Sequence, residues 1–159
     1  MDTNNEFWFQ DEINKTEHMK RISNVIEIKQ YLLRLHKVLQ RKDFKFKEET
    51  YTTAKIVLNT LKSIINFHTS YVVGNPVSIT GEQEIVKKYS SIYKKGMYTK
   101  TDYEIAEDLY TYGNAFEYVY LNDGIIKSKV IANEDSYPVY DEHENYVAFV
   151  EYWEDMENG

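Results

Sequence analysis

Residues 53–80, TAKIVLNTLKSIINFHTSYVVGNPVSIT, leave this chain the fewest folding options. Val57, Leu61, Ile64, His68 and Val72 recur at spacings of four, three, four and four, which is one stripe of an α-helix. Leu58, Ile65 and Tyr71 widen that stripe, so the spacing predicts a long core helix from about residue 53 to residue 73. Gly74 falls where helices commonly end in a left-handed residue, because glycine has no Cβ to clash there. Asn75 and Pro76 complete the break, since proline drives the residue before it out of the helical region. Val77 and Ile79 alternate with Ser78 and Thr80, the period of a short strand.

Upstream, residues 1–22 are polar apart from Phe7, Trp8, Phe9, Ile13, Met19 and Ile22. They read as an N-terminal arm, extended or in a short helix, whose aromatic cluster packs on its own domain or on another subunit. Ser23 is placed to cap a helix over about 24–40, with Val25, Ile28, Leu32, Leu35 and Leu39 as its apolar face. Residues 41–52 form a charged connector in which Phe44 and Phe46 alternate with Asp43, Lys45 and Lys47, a faint strand signal.

Downstream, Gly81 opens a turn and 82–95 reads as a third helix, with Ile85, Tyr89 and Ile92 on one face and Gly96 at its end. A fourth spans 101–112. Thr101 and Glu104 fit a capping box, Ile105, Leu109 and Tyr112 form its inner face, and Gly113 stops it. From residue 114 the period changes to two. Phe116, Tyr118 and Tyr120 alternate with Glu117, Val119 and Leu121, and Asp123-Gly124 supplies a hairpin turn that tolerates positive φ. The return strand is 125–132, a short strand holding Pro138 spans 137–140, and a last strand spans 146–153. Helices over about 24–112 followed by an antiparallel β-meander over about 114–153 make an α+β fold.

Charge divides along the chain. Residues 1–100 carry 17 Lys and Arg against 11 Asp and Glu, a balance of +6, whereas 101–159 carry 2 against 15, a balance of −13. The basic excess reads first as a solvated helix face, and only secondarily as a modest phosphate-facing patch. The acidic last third would repel a wrapped nucleic acid but is compatible with a wall that DNA slides past. With no cysteine, disulfides and thiolate metal sites are excluded. No apolar run is long enough for a secretory signal or a membrane span.

Motifs of catalysis and cofactor binding are missing. Neither G-x-x-x-x-G-K-[ST] nor G-x-G-x-x-G occurs, and no serine sits in a nucleophile motif. His18, His36, His68 and His143 are never three or four residues apart, so no zinc site is expected, and His68 reads as a hydrogen-bonded core histidine. Asp102, Glu104, Glu107 and Asp108, with Glu117, form the one grouping that could hold a divalent cation. Carboxylates are favoured in the first turn of any helix, so dipole compensation is the preferred reading. No catalytic, cofactor-binding or metal-ligating residue is assigned, and no cofactor is expected.

Two blocks together resemble the portal proteins of tailed bacteriophages, of the siphophage type found with Gram-positive hosts. The first, residues 31–81, has a helix, a charged connector and a helix ending in Tyr71, Val72, Val73, Gly74, Asn75, Pro76 and Val77, similar to that family's Y-V-x-G-x-P-V break. The second, 108–153, is similar to its G-x-A-[YF]-E-x-x-Y, turn and P-V-Y-D pattern. It is carried by Gly113, Ala115, Phe116, Glu117, Tyr120, Asp123, Gly124, Glu134, Pro138, Val139, Tyr140 and Asp141.

The resemblance implies a structural ring subunit, typically one of twelve, at a capsid vertex in the virion, assembled in the host cytoplasm. Terminase, scaffold, capsid and head–tail adaptor proteins are the implied partners, double-stranded DNA passes through the channel, and no membrane is involved. It implies a wing-like fold for 23–159 after an arm over 1–22, with the stem, clip and crown regions lying outside the sequence. The implied structural signature is Gly74, Asn75, Pro76, Gly113, Ala115, Glu117, Asp123, Gly124, Pro138, Tyr140 and Asp141. A stand-alone portal-derived module that interferes with portal assembly is the alternative, and a small metal-dependent enzyme is the lesser one.

Overall fold

Apolar periods of 3.6 residues dominate the first two thirds of the chain and periods of two the last third, and the elements follow that order. The computed structural model describes residues 6–153. Helices α1 (Trp8–Ile13) and α2 (Thr16–Leu32) lead through a 3-10 turn, Lys37–Gln40, to a small hairpin of β1 (Phe44–Phe46) and β2 (Glu49–Tyr51). Helices α3 (Thr60–Val73), α4 (Gln83–Lys95) and α5 (Tyr98–Tyr112) follow. Strands β3 (Phe116–Asn122) and β4 (Ile125–Ile131) form one antiparallel hairpin. After a 3-10 turn, Asn133–Asp135, β5 (Ser136–Tyr140) and β6 (Tyr146–Glu151) form another.

The fold is α+β: the β1–β2 hairpin lies between α2 and α3, the other two hairpins follow α5, and all three are separate two-stranded antiparallel ribbons rather than one continuous meander. Helix α5 is the hub: it packs on α3, on α4 and on β4. Helix α2 lies across the Asn133–Asp135 turn, and α1 lies on β5. The rings of Phe116 and Phe149, 5.6 Å apart, link the two later hairpins. The buried apolar core is small: Val25, Ile65, Ala106, Ile131, Tyr137 and Val139.

Several elements depart from the sequence reading. Helix α2 starts at Thr16, not after Ser23, and ends at Leu32. Its inward stripe runs His18, Arg21, Val25, Ile28 and Leu32, so two polar side chains hold inner positions that hydrophobicity could not reveal. Arg34 takes φ +63 and stops the helix, leaving Leu35 and Leu39 exposed. Part of the arm reading, residues 1–5, lies outside the described residues. Residues 6–22 include α1 and the start of α2.

Helix α3 begins at Thr60, seven residues later than the periodicity suggested. Residues 52–59 form no helical turn, although Val57 and Leu58 fit the apolar stripe. Asn59 sets the start by accepting from the Lys62 N–H at 3.4 Å, and its amide donates to the Leu32 carbonyl at 3.0 Å. Residues 77–80 form no strand, because four alternating residues without a partner strand have no ladder to join. Helix α5 begins at Tyr98, with Met97 at φ +57 before it, so Thr101 is an interior residue and no capping box forms. Thr101 is buried against Ser128, and Ala106, rather than Leu109, lies fully inside. The Phe44–Phe46 strand pairs with β2, which the sequence did not disclose.

Candidate assembly surface

A polar latch fastens the helices to the hairpins. The Arg21 guanidinium on α2 donates to the Asn133 carbonyl at 2.8 Å and to the Ser136 carbonyl, and lies 5.7 Å from the centre of the Phe116 ring. Asn133 is buried, and its amide donates to the Asp108 carboxylate on α5 and to the Asn114 carbonyl, both at 3.1 Å. Lys29 pairs with Glu134, and the Ser136 hydroxyl donates to the Ala132 carbonyl at 2.8 Å. Five segments meet here: α2, the C-terminal half of α5, the approach to β3, the Asn133–Asp135 turn and the start of β5. Burial pushes the Asp108 carboxyl up to about 6, while the Asn133 bond pulls it down and the nearby Glu107 and Glu134 add to the rise. Burial likewise raises the Tyr112 phenol to about 12, helped by the negative charge of Asp108. Nothing in the sequence marks Arg21 or Asn133, since an Arg among apolar residues and an Asn after a strand are ordinary.

A buried carboxylate, Glu12 on α1, accepts from Lys15 at 2.7 Å and faces His18 at 3.8 Å. The His18 ring also meets Tyr137 edge-on at 5.4 Å. Burial, then the Arg21 charge, lowers the His18 imidazole below its ordinary value. These groups sit at the edge of an open groove of about 1390 Å³, whose far wall includes Tyr140 and Asp141 to Glu144.

The signature residues occupy distinct structural positions. Gly74 follows α3 with φ −66 and ψ −22, a right-handed conformation, so the expected left-handed role is absent. A Cβ built there would lie 2.2 Å from the Ser70 carbonyl oxygen, so glycine serves close approach rather than positive φ. Asn75 and Pro76 continue the exposed bend. Gly113 ends α5 at φ +78, its N–H donating to the Leu109 carbonyl at 3.0 Å. Ala115 is half-buried before β3, and Glu117 is exposed opposite Val130. Asp123 and Gly124, at φ +50 and +73, make the two-residue turn that sets Asn122 against Ile125. Pro138 is buried in β5 opposite Phe149. In this two-stranded ribbon its missing N–H breaks no further ladder. Tyr140 is exposed beyond a register shift and meets Tyr146 edge-on. Asp141 organises the β5–β6 turn, accepting from the backbone N–H of His143 at 2.8 Å and of Asn145 at 2.9 Å.

Helix α3 departs most from its expected burial. Ile65 and Thr69 face inward, but His68 is exposed and stacks on Tyr110 at 5.3 Å, so it is not a core histidine. Around the helix from Ile65, Ile64 is 50% exposed, Phe67 67% and Tyr71 79%, with the Phe67 and Tyr71 rings stacked at 6.4 Å. The apolar face of α3, formed by Leu61, Ile64, Phe67, Tyr71 and Val72, is thus exposed, and only its edge at Ile65 is covered.

The acidic grouping on α5 is dispersed. Asp102 accepts from the Tyr93 hydroxyl, Glu104 pairs with Lys100 at 3.1 Å, and Asp108 holds Asn133. Among the described residues no three metal-ligating side chains converge, and no helix is long and apolar enough to cross a membrane.

The family model described as phage portal protein, SPP1 Gp6-like, matches residues 11–159. No curated protein matches the chain.

Proposed function

Because the chain belongs to the SPP1 Gp6-like phage portal family, we propose that it serves as a structural subunit of the portal ring at the capsid vertex. In this role it supports procapsid assembly, packaging of double-stranded DNA and head–tail joining. The ring is a homo-oligomer, of twelve copies when complete, that meets terminase, scaffold, capsid and adaptor proteins. It forms in the host cytoplasm and ends in the virion. From α2 onward the described residues act as the N-terminal part of the wing, since Arg21 ties that helix to the hairpins, with Gly74, Asn75, Pro76, Gly113, Asp123 and Gly124 fixing the framework.

Beyond family membership, the uncovered side of α3 carries this reading. Ile64, Phe67 and Tyr71 lie side by side at helical spacing and are all exposed, and contiguous exposed apolar residues mark sites of association. The polar latch and the paired α5 carboxylates supply scaffolding rather than convergent chemistry. Immunogold electron microscopy of procapsids and virions, with antibody against this chain, tests the proposal. Label at a single vertex is expected, and its absence from both particles overturns the role. Label in rings that hold no DNA would favour the interfering module instead.

A further inference from the structure

We propose that helix α4 of one copy binds the β5–β6 hairpin tip of a second copy, which deepens the ring reading above and rests on it. Helix α4 packs on α5 and β4 through one side, where Val86 and Tyr93 are half-buried and Gly96 lies against the Ile126 carbonyl. Its other side is open. Ile85 is 62% exposed, Tyr89 and Ile92 continue the same stripe, and Lys88 and Lys95 flank it at helical spacing. Lys87, Lys88, Lys94 and Lys95 make no ion pair among the described residues, so α4 presents an apolar stripe bordered by free cations.

The hairpin tip has the opposite character. Asp141, Glu142 and Glu144 lie within four residues, and Asn145 and the turn backbone hold Asp141 in place, which keeps its carboxyl below the ordinary range. Beside them, Tyr146 is 62% exposed, and Tyr140 and Val147 are exposed as well. An aromatic patch edged by carboxylates complements an apolar stripe edged by lysines, in both polarity and charge. Because the two patches lie on different elements, the contact is head-to-tail, the kind that propagates into a ring when its rotation closes.

The absence of cysteine makes a direct test available. Ile92→Cys and Tyr146→Cys chains are prepared separately, then oxidised alone and mixed. A disulfide-linked pair at twice the 19.0 kDa chain mass is expected in the mixture, at yields about tenfold above either chain alone. Lys88→Glu with Lys95→Glu, or Glu142→Lys with Glu144→Lys, should each lower the yield, and mixing the two reversed chains should restore it. Raising salt should weaken the contact. Oligomers by light scattering without the mixed crosslink would overturn this surface and leave the ring reading standing. Monomers without the crosslink would overturn both. Crosslinking that charge reversal leaves unchanged would also refute the proposed pairing.

Discussion

Replacing Asp108 with asparagine should stabilise the protein near neutral pH and do progressively less as pH falls. The carboxylate is drawn partly out of water, and the Asn133 amide is the donor that reaches it, at 3.1 Å. Its folded-state value of about 6 exceeds the ordinary 3.8, so between these values the folded state binds more proton than the unfolded state. Stability from this group is therefore present at low pH and is lost as pH rises from about 4 to about 6. A fully sealed group would lose about 3 kcal/mol over that interval, at about 1.4 kcal/mol per pH unit. Asp108 retains solvent contact, and screening reduces the figure to about 1 kcal/mol. The carbonyl oxygen of the substituted side chain can still accept from Asn133, so the variant keeps the bond and removes the charge. Thermal unfolding by circular dichroism should show the variant about 2–4 °C above the wild type near pH 7, with the gap closing toward pH 4. His18 and Asp141, whose values are lowered, contribute stability that is lost on acidification, but they are common to both proteins and cancel in the difference. Parallel curves at every pH, or a variant less stable at neutral pH, would refute the reasoning.

Arg21→Met should cost about 2–3 kcal/mol in urea unfolding, since it strands two carbonyl acceptors, and Arg21→Lys should recover only part of that, because an ammonium cannot span both. Gly74→Ala and Gly74→Asn should both destabilise by about 1 kcal/mol or more, as any Cβ meets the Ser70 carbonyl; a harmless Asn would point back to a left-handed residue. At Gly113 the order should differ: Ala costs about 1 kcal/mol and Asn much less, as read by thermal scans, because there only positive φ matters. Ile65→Ala should cost about 2–4 kcal/mol, whereas Ile64→Ala should leave monomer stability within about 0.5 kcal/mol.

The turns and the change of period were legible from sequence because they depend on local chemistry. Asp123-Gly124 and Gly113 adopt positive φ where glycine-containing turns and helix ends require it. Helix starts were less legible. Ser23 and Thr101 are good caps, yet each lies inside a helix, because tertiary contacts of His18, Arg21 and Thr101 extend α2 and α5 past them. The latch was hidden because its acceptors are backbone carbonyls 112 and 115 residues away from Arg21. Burial of α3 does not follow from its sequence for a different reason. An apolar stripe reports that a face avoids water, not which neighbour covers it, and in this chain Ile64 and Tyr71 are left uncovered.

The most direct test is native mass spectrometry of the purified chain at rising concentration. Subunits whose open α3 and α4 faces are interfaces should populate one closed stoichiometry, and Phe67→Glu should dissolve it without unfolding the monomer. A chain that stays monomeric at every soluble concentration, or that forms open-ended mixtures unaffected by Phe67→Glu, would contradict the ring-subunit reading.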